Sequence, residues 1–137
     1  RSAIMNILII DAQGGGIGKQ LVSSIKESFP NFEITAVGTN SAASAAMLKA
    51  GADHVATGEN AVVVGCRKAD LIIGPIGIVI TDSLYGEITE KMAVAIGKSS
   101  AKRILIPVNQ CDNIIAGVQN SNINHLIKCV IEEIINF

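Results

Sequence analysis

The feature of this sequence best suited to chemistry is a run of glycines that follows the first apolar segment. Residues 6–10 read NILII, and Gly14-Gly15-Gly16-Ile17-Gly18 comes shortly after them. Glycines let a backbone pass close to a ligand because no Cβ stands in the way. A helix that begins at such a loop directs free N–H groups and the positive end of its dipole at an anion, usually a phosphate. We therefore predict that this loop binds the phosphate of a nucleotide or dinucleotide.

Three nucleotide-binding motifs match the sequence in part, two of them at this loop. Gly16-Ile17-Gly18 matches the end of the GxxxGIG motif of short-chain dehydrogenases, although Ala12 replaces the first glycine of that motif. Gly18-Lys19 fits a Walker A motif, but Gln20 replaces the hydroxyl residue that ligates Mg²⁺. Residues 109–112, NQCD, resemble the NKxD base-reading motif of GTPases without its lysine. We favour dinucleotide binding, while a tight turn that only packs a strand on a helix stays open as a structural interpretation.

The choice of cofactor depends on the residues after the second predicted strand. In NAD-binding domains an acidic residue there accepts the ribose hydroxyls. Residues 36–41 read AVGTNS, with no acidic residue and no arginine to neutralise a 2′-phosphate. Thr39, Asn40 and Ser41 could hydrogen-bond a ribose or a phosphate, and either Asn40 or Ser41 could equally cap the following helix. The predicted cofactor is therefore NAD or NADP without a choice between them, and no metal is expected.

Further site residues are predicted where the later strands end, because ligands of such sheets bind outside the carboxyl ends of the strands. Gly74, Pro75 and Gly77 follow the fourth strand, and Asn109 follows the fifth.

Two side chains beyond the fourth strand could take part in a reaction. These are Asp82 and Tyr85, in the segment TDSLYG. Thr89, however, stands where the lysine of a YxxxK motif would be, so the residue that would activate the Tyr85 phenol is absent. Asp82 also suits a turn. No catalytic residue is therefore assigned, and whether the protein is an enzyme stays open.

The elements that must position these residues alternate along the chain. Strands are predicted at residues 6–10, 32–37, 53–56, 71–73 and 103–108, and helices after the glycine loop and at 41–50, 59–68, 87–98 and 123–135. This alternation predicts an α/β protein with three layers and a doubly wound parallel sheet of five strands. We favour the Rossmann-like order 3-2-1-4-5, with the flavodoxin-like order 2-1-3-4-5 as the alternative. One domain is expected over residues 5–137, with residues 1–4 as a cloning remnant before Met5.

Composition narrows the functional class. The net charge is −1, and one tyrosine, three phenylalanines and no tryptophan leave few aromatic platforms, which argues against nucleic-acid binding. The three cysteines show no CxxC or metal-type spacing, so we expect reduced thiols in a cytoplasmic protein. No apolar stretch reaches the ~18 residues that a membrane span needs. The apolar content of 49% and the isoleucine-rich last helix favour a homo-oligomer.

From Met5 onward the sequence resembles a small bacterial family, domain of unknown function 3842. The resemblance lies in the stretches IIDAQGGGIGKQ, AVGTNSAASAAMLKAGADHVATGEN and GPIGIVITDSLYGEITEKMA. It implies a stand-alone Rossmann-like protein, chiefly of anaerobic Gram-positive bacteria. It supplies no reaction and no catalytic residues, so the site must come from the residues themselves.

Three functional hypotheses follow from the sequence. The first is a small module that binds a nucleotide and serves in sensing or regulation. The second is a minimal oxidoreductase or transferase whose site is completed at an oligomer interface, with Asp11, Asp82, Tyr85 or Asn109 as its polar groups. The third is a structural or interaction protein without a small ligand.

Overall fold

Five parallel strands form the central layer of the protein. The structure is a computed structural model that describes residues 4–108 and 112–137. The strands are β1 (Asn6–Asp11), β2 (Glu33–Gly38), β3 (His54–Thr57), β4 (Leu71–Pro75) and β5 (Lys102–Ile106). They lie in the order β3-β2-β1-β4-β5, with every neighbouring pair parallel. The Rossmann-like order is therefore confirmed, and the flavodoxin-like alternative is not adopted.

Helices cover both faces of this sheet. They are α1 (Gly16–Ser28), α2 (Ser41–Lys49), α3 (Glu59–Lys68), the single turn α4 (Ser83–Gly86), α5 (Glu90–Lys98) and α6 (Ile123–Ile135). Helices α1, α2 and α6 share one face, and α3 and α5 share the other. No helix within the described ranges has the length and apolar character that a membrane span requires.

The core has two halves because successive side chains of a strand point to opposite faces of the sheet. In β1, Ile7 and Ile9 pack toward α1 and α6, whereas Leu8 and Ile10 pack toward α3 and α5. All four side chains are at most 1% exposed. A strand buried on both faces explains why the first apolar run in the sequence is continuous rather than alternating.

The segment after β4 differs from the sequence prediction, and we call residues 76–89 the strap. A 3₁₀ helix (Ile76–Val79) follows β4 directly, and Ile78, Leu84 and Ile88 are buried against the α3 face of the sheet. Ile78 therefore fills the core, whereas Ile76, Val79 and Ile80 are half-buried. The next helix, predicted from residue 87, begins at Glu90, because the Thr89 hydroxyl accepts the Met92 N–H at 3.2 Å and caps it.

Candidate functional site

The candidate site lies where the strand order reverses, between β1 and β4. In open α/β sheets, ligands bind in the crevice outside the carboxyl ends of the strands at this reversal. The loop after β1 contains the glycines, and the strap after β4 reaches across toward the end of β2. The site is therefore built from three consecutive strand ends of the sheet, those of β2, β1 and β4.

A buried carboxylate caps helix α1 from the end of β1. Asp11 is 5% exposed, and its side chain accepts the N–H of Ala12 at 2.8 Å and that of Gly18 at 2.6 Å. The cap comes from Asp11 because Gly15, at the helix N-cap, has no side chain. Burial raises the pKa of Asp11, while the hydrogen bonds from Gly18 and Ala12 act in the opposite direction.

The four glycines of the loop divide into two pairs. Gly15 and Gly18 are buried, and a Cβ on them would lie 2.8 Å from the Ala43 Cα and 2.5 Å from the Met47 Sδ, respectively. These two let α1 pack on β1 and α2. Gly14 and Gly16 are exposed, and a Cβ on either would meet nothing within 4 Å. Among the described residues, no acceptor pairs with the N–H of Gly14 or Gly16.

Ile17, the remaining residue of the predicted loop, packs its side chain against the core between the sheet and α1.

The end of β2 is joined to the glycine loop by a carboxylate that the sequence analysis did not select. The Glu87 Oε1 atom accepts the N–H of Gln13 at 3.0 Å, the Thr39 hydroxyl at 2.6 Å and the Asn40 amide at 2.7 Å. We call these four residues the Glu87 clamp. Asn40 also donates to the Gln13 carbonyl at 2.9 Å. The end of β2 is therefore joined to the glycine loop both directly and through Glu87.

Asn40 has two roles in this arrangement. Its Oδ1 atom accepts the Ala43 N–H at 2.9 Å, which caps α2, and its Nδ2 atom belongs to the Glu87 clamp. The helix-capping role considered for Asn40 is therefore present, and the same residue lies at the candidate site.

Burial alone would raise the pKa of Glu87, but the hydrogen bonds from Thr39, Gln13 and Asn40 outweigh it and hold the pKa below the ordinary value of 4.5. Each donor favours the ionised form of the carboxylate. Glu87 is therefore negative at neutral pH.

The lowered pKa of Glu87 predicts an acid-sensitive contribution to stability. A carboxyl whose pKa is lower in the folded state stabilises that state above its unfolded pKa, and this stabilisation is lost as the pH falls through the folded value. Asp11, with its raised pKa, contributes in the opposite direction. We expect Glu87→Gln to lose more stability relative to wild type at about pH 6 than at about pH 3.5 in urea unfolding. An equal loss at both pH values would contradict this prediction.

The predicted residues after β4 lie against the protein's own backbone and strap. Gly74 is buried in β4, where a Cβ would overlap the Ile10 carbonyl oxygen, and buried Pro75 ends the strand. A Cβ on Gly77 would lie 3.1 Å from both Ser83 and Leu84. Packing against the protein's own atoms therefore accounts for the glycines at 74 and 77 without a ligand. Asn109 lies outside the described residues.

The strap contains a strained turn that brings Asp82 and Tyr85 to the surface. Asp82, Leu84 and Tyr85 have φ values of 66°, 55° and 58°, a left-handed conformation that costs energy for residues other than glycine. Tyr85 is 97% exposed, while Leu84 beside it is 4% exposed. The Ser83 hydroxyl donates to the Gly77 carbonyl, and the Asp82 N–H donates to the Ile88 carbonyl at 2.8 Å. These contacts hold the turn in place.

The described residues contain no group of three or more His, Cys, Asp or Glu side chains arranged to hold a metal ion. Cys66 and Cys129 are free thiols, and Cys111 lies outside the described residues.

A parallel sheet in this strand order, with a glycine loop at its reversal point, defines a Rossmann-type α/β domain. Residues 6–137 match the family described as Domain of unknown function (DUF3842), and the chain belongs to that family.

Similarity to other proteins is found among solved structures and not among proteins with curated annotation. No protein with curated annotation matches the sequence. Among solved structures, a dodecameric FMN-dependent UbiX-like decarboxylase from Escherichia coli O157:H7 is similar, with 18% sequence identity and a TM-score of 0.48. The alignment covers 94% of this chain and 75% of that one.

Proposed function

We propose that this protein is a small binding module that holds a nucleotide or dinucleotide of the NAD(P) type by its phosphates at the glycine loop. The proposed role is sensing or regulation in the cytoplasm, and the proposed assembly is a homo-oligomer. The proposal covers the binding of the ligand and assigns no reaction to it.

The observation that carries the proposal is the open pair Gly14 and Gly16. Both are exposed at the N-terminus of α1, and no acceptor among the described residues pairs with their N–H groups. A Cβ at either position would meet no protein atom, so packing does not require glycine there. Two free amides at the positive end of a helix dipole suit an anion such as a phosphate.

The charges around the loop indicate how such a ligand would lie. The Asp11 carboxylate already accepts the Gly18 N–H, so a phosphate would use Gly14 and Gly16 at the outer side of the loop. The Glu87 clamp lies next to these glycines, toward the end of β2. Because a carboxylate repels a phosphate and accepts from hydroxyl groups, a ligand with a phosphate at the glycines and hydroxyls toward β2 matches the site.

The proposal predicts a selective thermal shift that depends on Gly16. The ligands to compare are NAD, NADP, ATP, GTP, FMN and S-adenosylmethionine. A ligand at 100 times its Kd adds about 2.7 kcal/mol of stability, which raises the melting temperature visibly. We expect a dinucleotide to give this shift in the wild type and Gly16→Val to abolish it, because the valine side chain would occupy the open space beside the amides.

The matched control for this experiment is Gly97→Val. Gly97 is an exposed glycine of α5 where a Cβ also meets nothing within 4 Å, and it lies outside the candidate site. This variant should keep the full ligand shift. If none of the six ligands shifts the wild type, or if Gly16→Val responds like Gly97→Val, nucleotide binding at the loop is wrong.

A further inference from the structure

The sequence leaves the end of β2 without an acidic residue, but the fold brings one there from elsewhere in the chain. Residues 36–41 contain neither Asp nor Glu. Glu87 arrives from the strap, on the other side of the strand-order reversal, and its carboxylate contacts Thr39 directly after β2. An acceptor at this position is what NAD-binding domains use for the ribose hydroxyls. The strap therefore brings Glu87 to the position where the segment after β2 has no acidic residue of its own.

We propose that Glu87 is the specificity-determining residue of the site: it accepts the ribose hydroxyls of the nucleotide and excludes a ribose that bears a 2′-phosphate. This inference rests on the proposed function, since it needs a nucleotide at the glycine loop. It names the ligand class more narrowly, as an adenine dinucleotide or nucleotide with both ribose hydroxyls free.

The hydrogen bonds of Glu87 leave one of its oxygens available. All three donors of the clamp, from Gln13, Thr39 and Asn40, bind the Oε1 atom. Within the described part of the chain, no donor pairs with the Oε2 atom. A ribose diol offers hydroxyl donors, and a carboxylate oxygen accepts from them. The backbone N–H of Gln13, which donates to Oε1, belongs to the same loop as Gly14. A ribose at Glu87 would therefore lie beside a phosphate at the glycines.

The charge at this position opposes a 2′-phosphate. Residues 36–41 contain no lysine or arginine to neutralise one. Burial raises the pKa of Asp11, and the negative charge of Glu87 adds to this. An additional phosphate at the end of β2 would lie beside the Glu87 carboxylate, which contacts Thr39 there, and like charges at short range disfavour a ligand strongly.

The strap holds Glu87 in position from both sides. On the N-terminal side, buried Leu84 and the Ser83–Gly77 hydrogen bond fix the strained turn. On the C-terminal side, Ile88 is fully buried and the Thr89 hydroxyl donates to the Glu59 carboxylate of α3 at 2.6 Å. A carboxylate anchored in this way discriminates between ligands without first having to be ordered.

The test compares NAD with NADP by isothermal titration of the wild type, Glu87→Gln and Glu90→Gln. We expect the wild type to bind NAD at least about tenfold more tightly than NADP, because the 2′-phosphate of NADP would be repelled by the Glu87 carboxylate. Glu87→Gln should bring the two affinities within about threefold of each other, because the amide keeps the shape and removes the charge. Glu90→Gln, at an exposed position of α5, removes the same charge outside the clamp and should keep the wild-type ratio.

Each outcome decides between the two proposals. A wild type that binds NAD and NADP equally overturns the role of Glu87 and leaves the proposed function standing, even if Glu87→Gln fails to fold. The role of Glu87 is also overturned if Glu87→Gln keeps the wild-type ratio, or if Glu90→Gln loses it to the same extent. A wild type that binds neither nucleotide removes the proposed function and this inference together.

Discussion

Replacing Gly74 by alanine is expected to lower the free energy of unfolding by about 3 kcal/mol, which is the upper end of the usual cost of overpacking a core. The added Cβ would overlap the Ile10 carbonyl oxygen of β1 and lie 2.9 Å from the Ile78 Cδ1 atom. The Ile10 carbonyl oxygen is a backbone atom of the central strand. Because this atom cannot move without disturbing the pairing of β1 with β4, relieving the clash must separate the two strands.

Chemical denaturation of Gly74→Ala measures this effect, and Gly97→Ala is its control. At Gly97, in α5, the new methyl group meets nothing within 4 Å. Alanine is favoured over glycine inside a helix by about 1 kcal/mol, so the control should be as stable as the wild type or more so. If Gly74→Ala were as stable as the wild type, the close approach of β4 to β1 would be absent from the folded protein.

Asp11→Ala is expected to cost about 2–4 kcal/mol, since it leaves two buried N–H groups without an acceptor. Those groups belong to Ala12 and Gly18, which are both buried, and the carboxylate is their hydrogen-bond partner in the structure. The substitution also removes the cap of α1. The free energy of unfolding from urea titration at neutral pH provides the measurement.

Asp11→Asn removes the charge and keeps one of the two acceptors. The Ala12 and Gly18 N–H groups bind different carboxylate oxygens, so one of them would face the NH2 group of the asparagine. The amide avoids the cost of burying a charge, which is the main cause of the raised pKa of Asp11. We expect Asp11→Asn to be more stable than Asp11→Ala and less stable than the wild type, and equal losses in both variants would contradict this prediction.

The strands and helices could largely be predicted from the sequence, because burial leaves a periodic trace in it. The apolar run at residues 6–10 is continuous since β1 is covered on both faces, and α6 spans the residues whose apolar members recur at helical spacing. The strand order could be favoured but not deduced. Both doubly wound orders satisfy the same alternation of elements, and only the contacts across the sheet distinguish them.

Glu87 shows why the candidate site could be predicted only in part. The apolar residues that follow it fit a helical period, so the sequence analysis placed Glu87 in the first turn of a helix. A signal against this was present: threonine is a favoured N-cap residue, and Thr89 caps the helix at Glu90. Even so, residue 87 and the end of β2 are 48 positions apart, so local patterns could not reveal their contact.

The strained turn was beyond prediction for a different reason. Left-handed backbone is signalled by glycine or asparagine, and the turn places Leu84 and Tyr85 in that conformation. The conformation is imposed by tertiary contacts, namely the burial of Leu84 and the hydrogen bond of Ser83. Cytoplasmic location, the homo-oligomer and the role of Asn109 stay predictions.

The Glu87 clamp also bears on the order in which the protein becomes functional as it folds. Its hydrogen bonds join residues that are 74, 48 and 47 positions apart. Contacts of such separation must meet a loop-closure cost that local contacts do not, so we expect them to form after the local elements. Helix α1 can begin at the glycine loop early, but the loop gains its partner only when β4 has docked and the strap has closed. Ligand binding would then report the docking of β4 and the strap, and a chain arrested before β4 would have the glycine loop without a site.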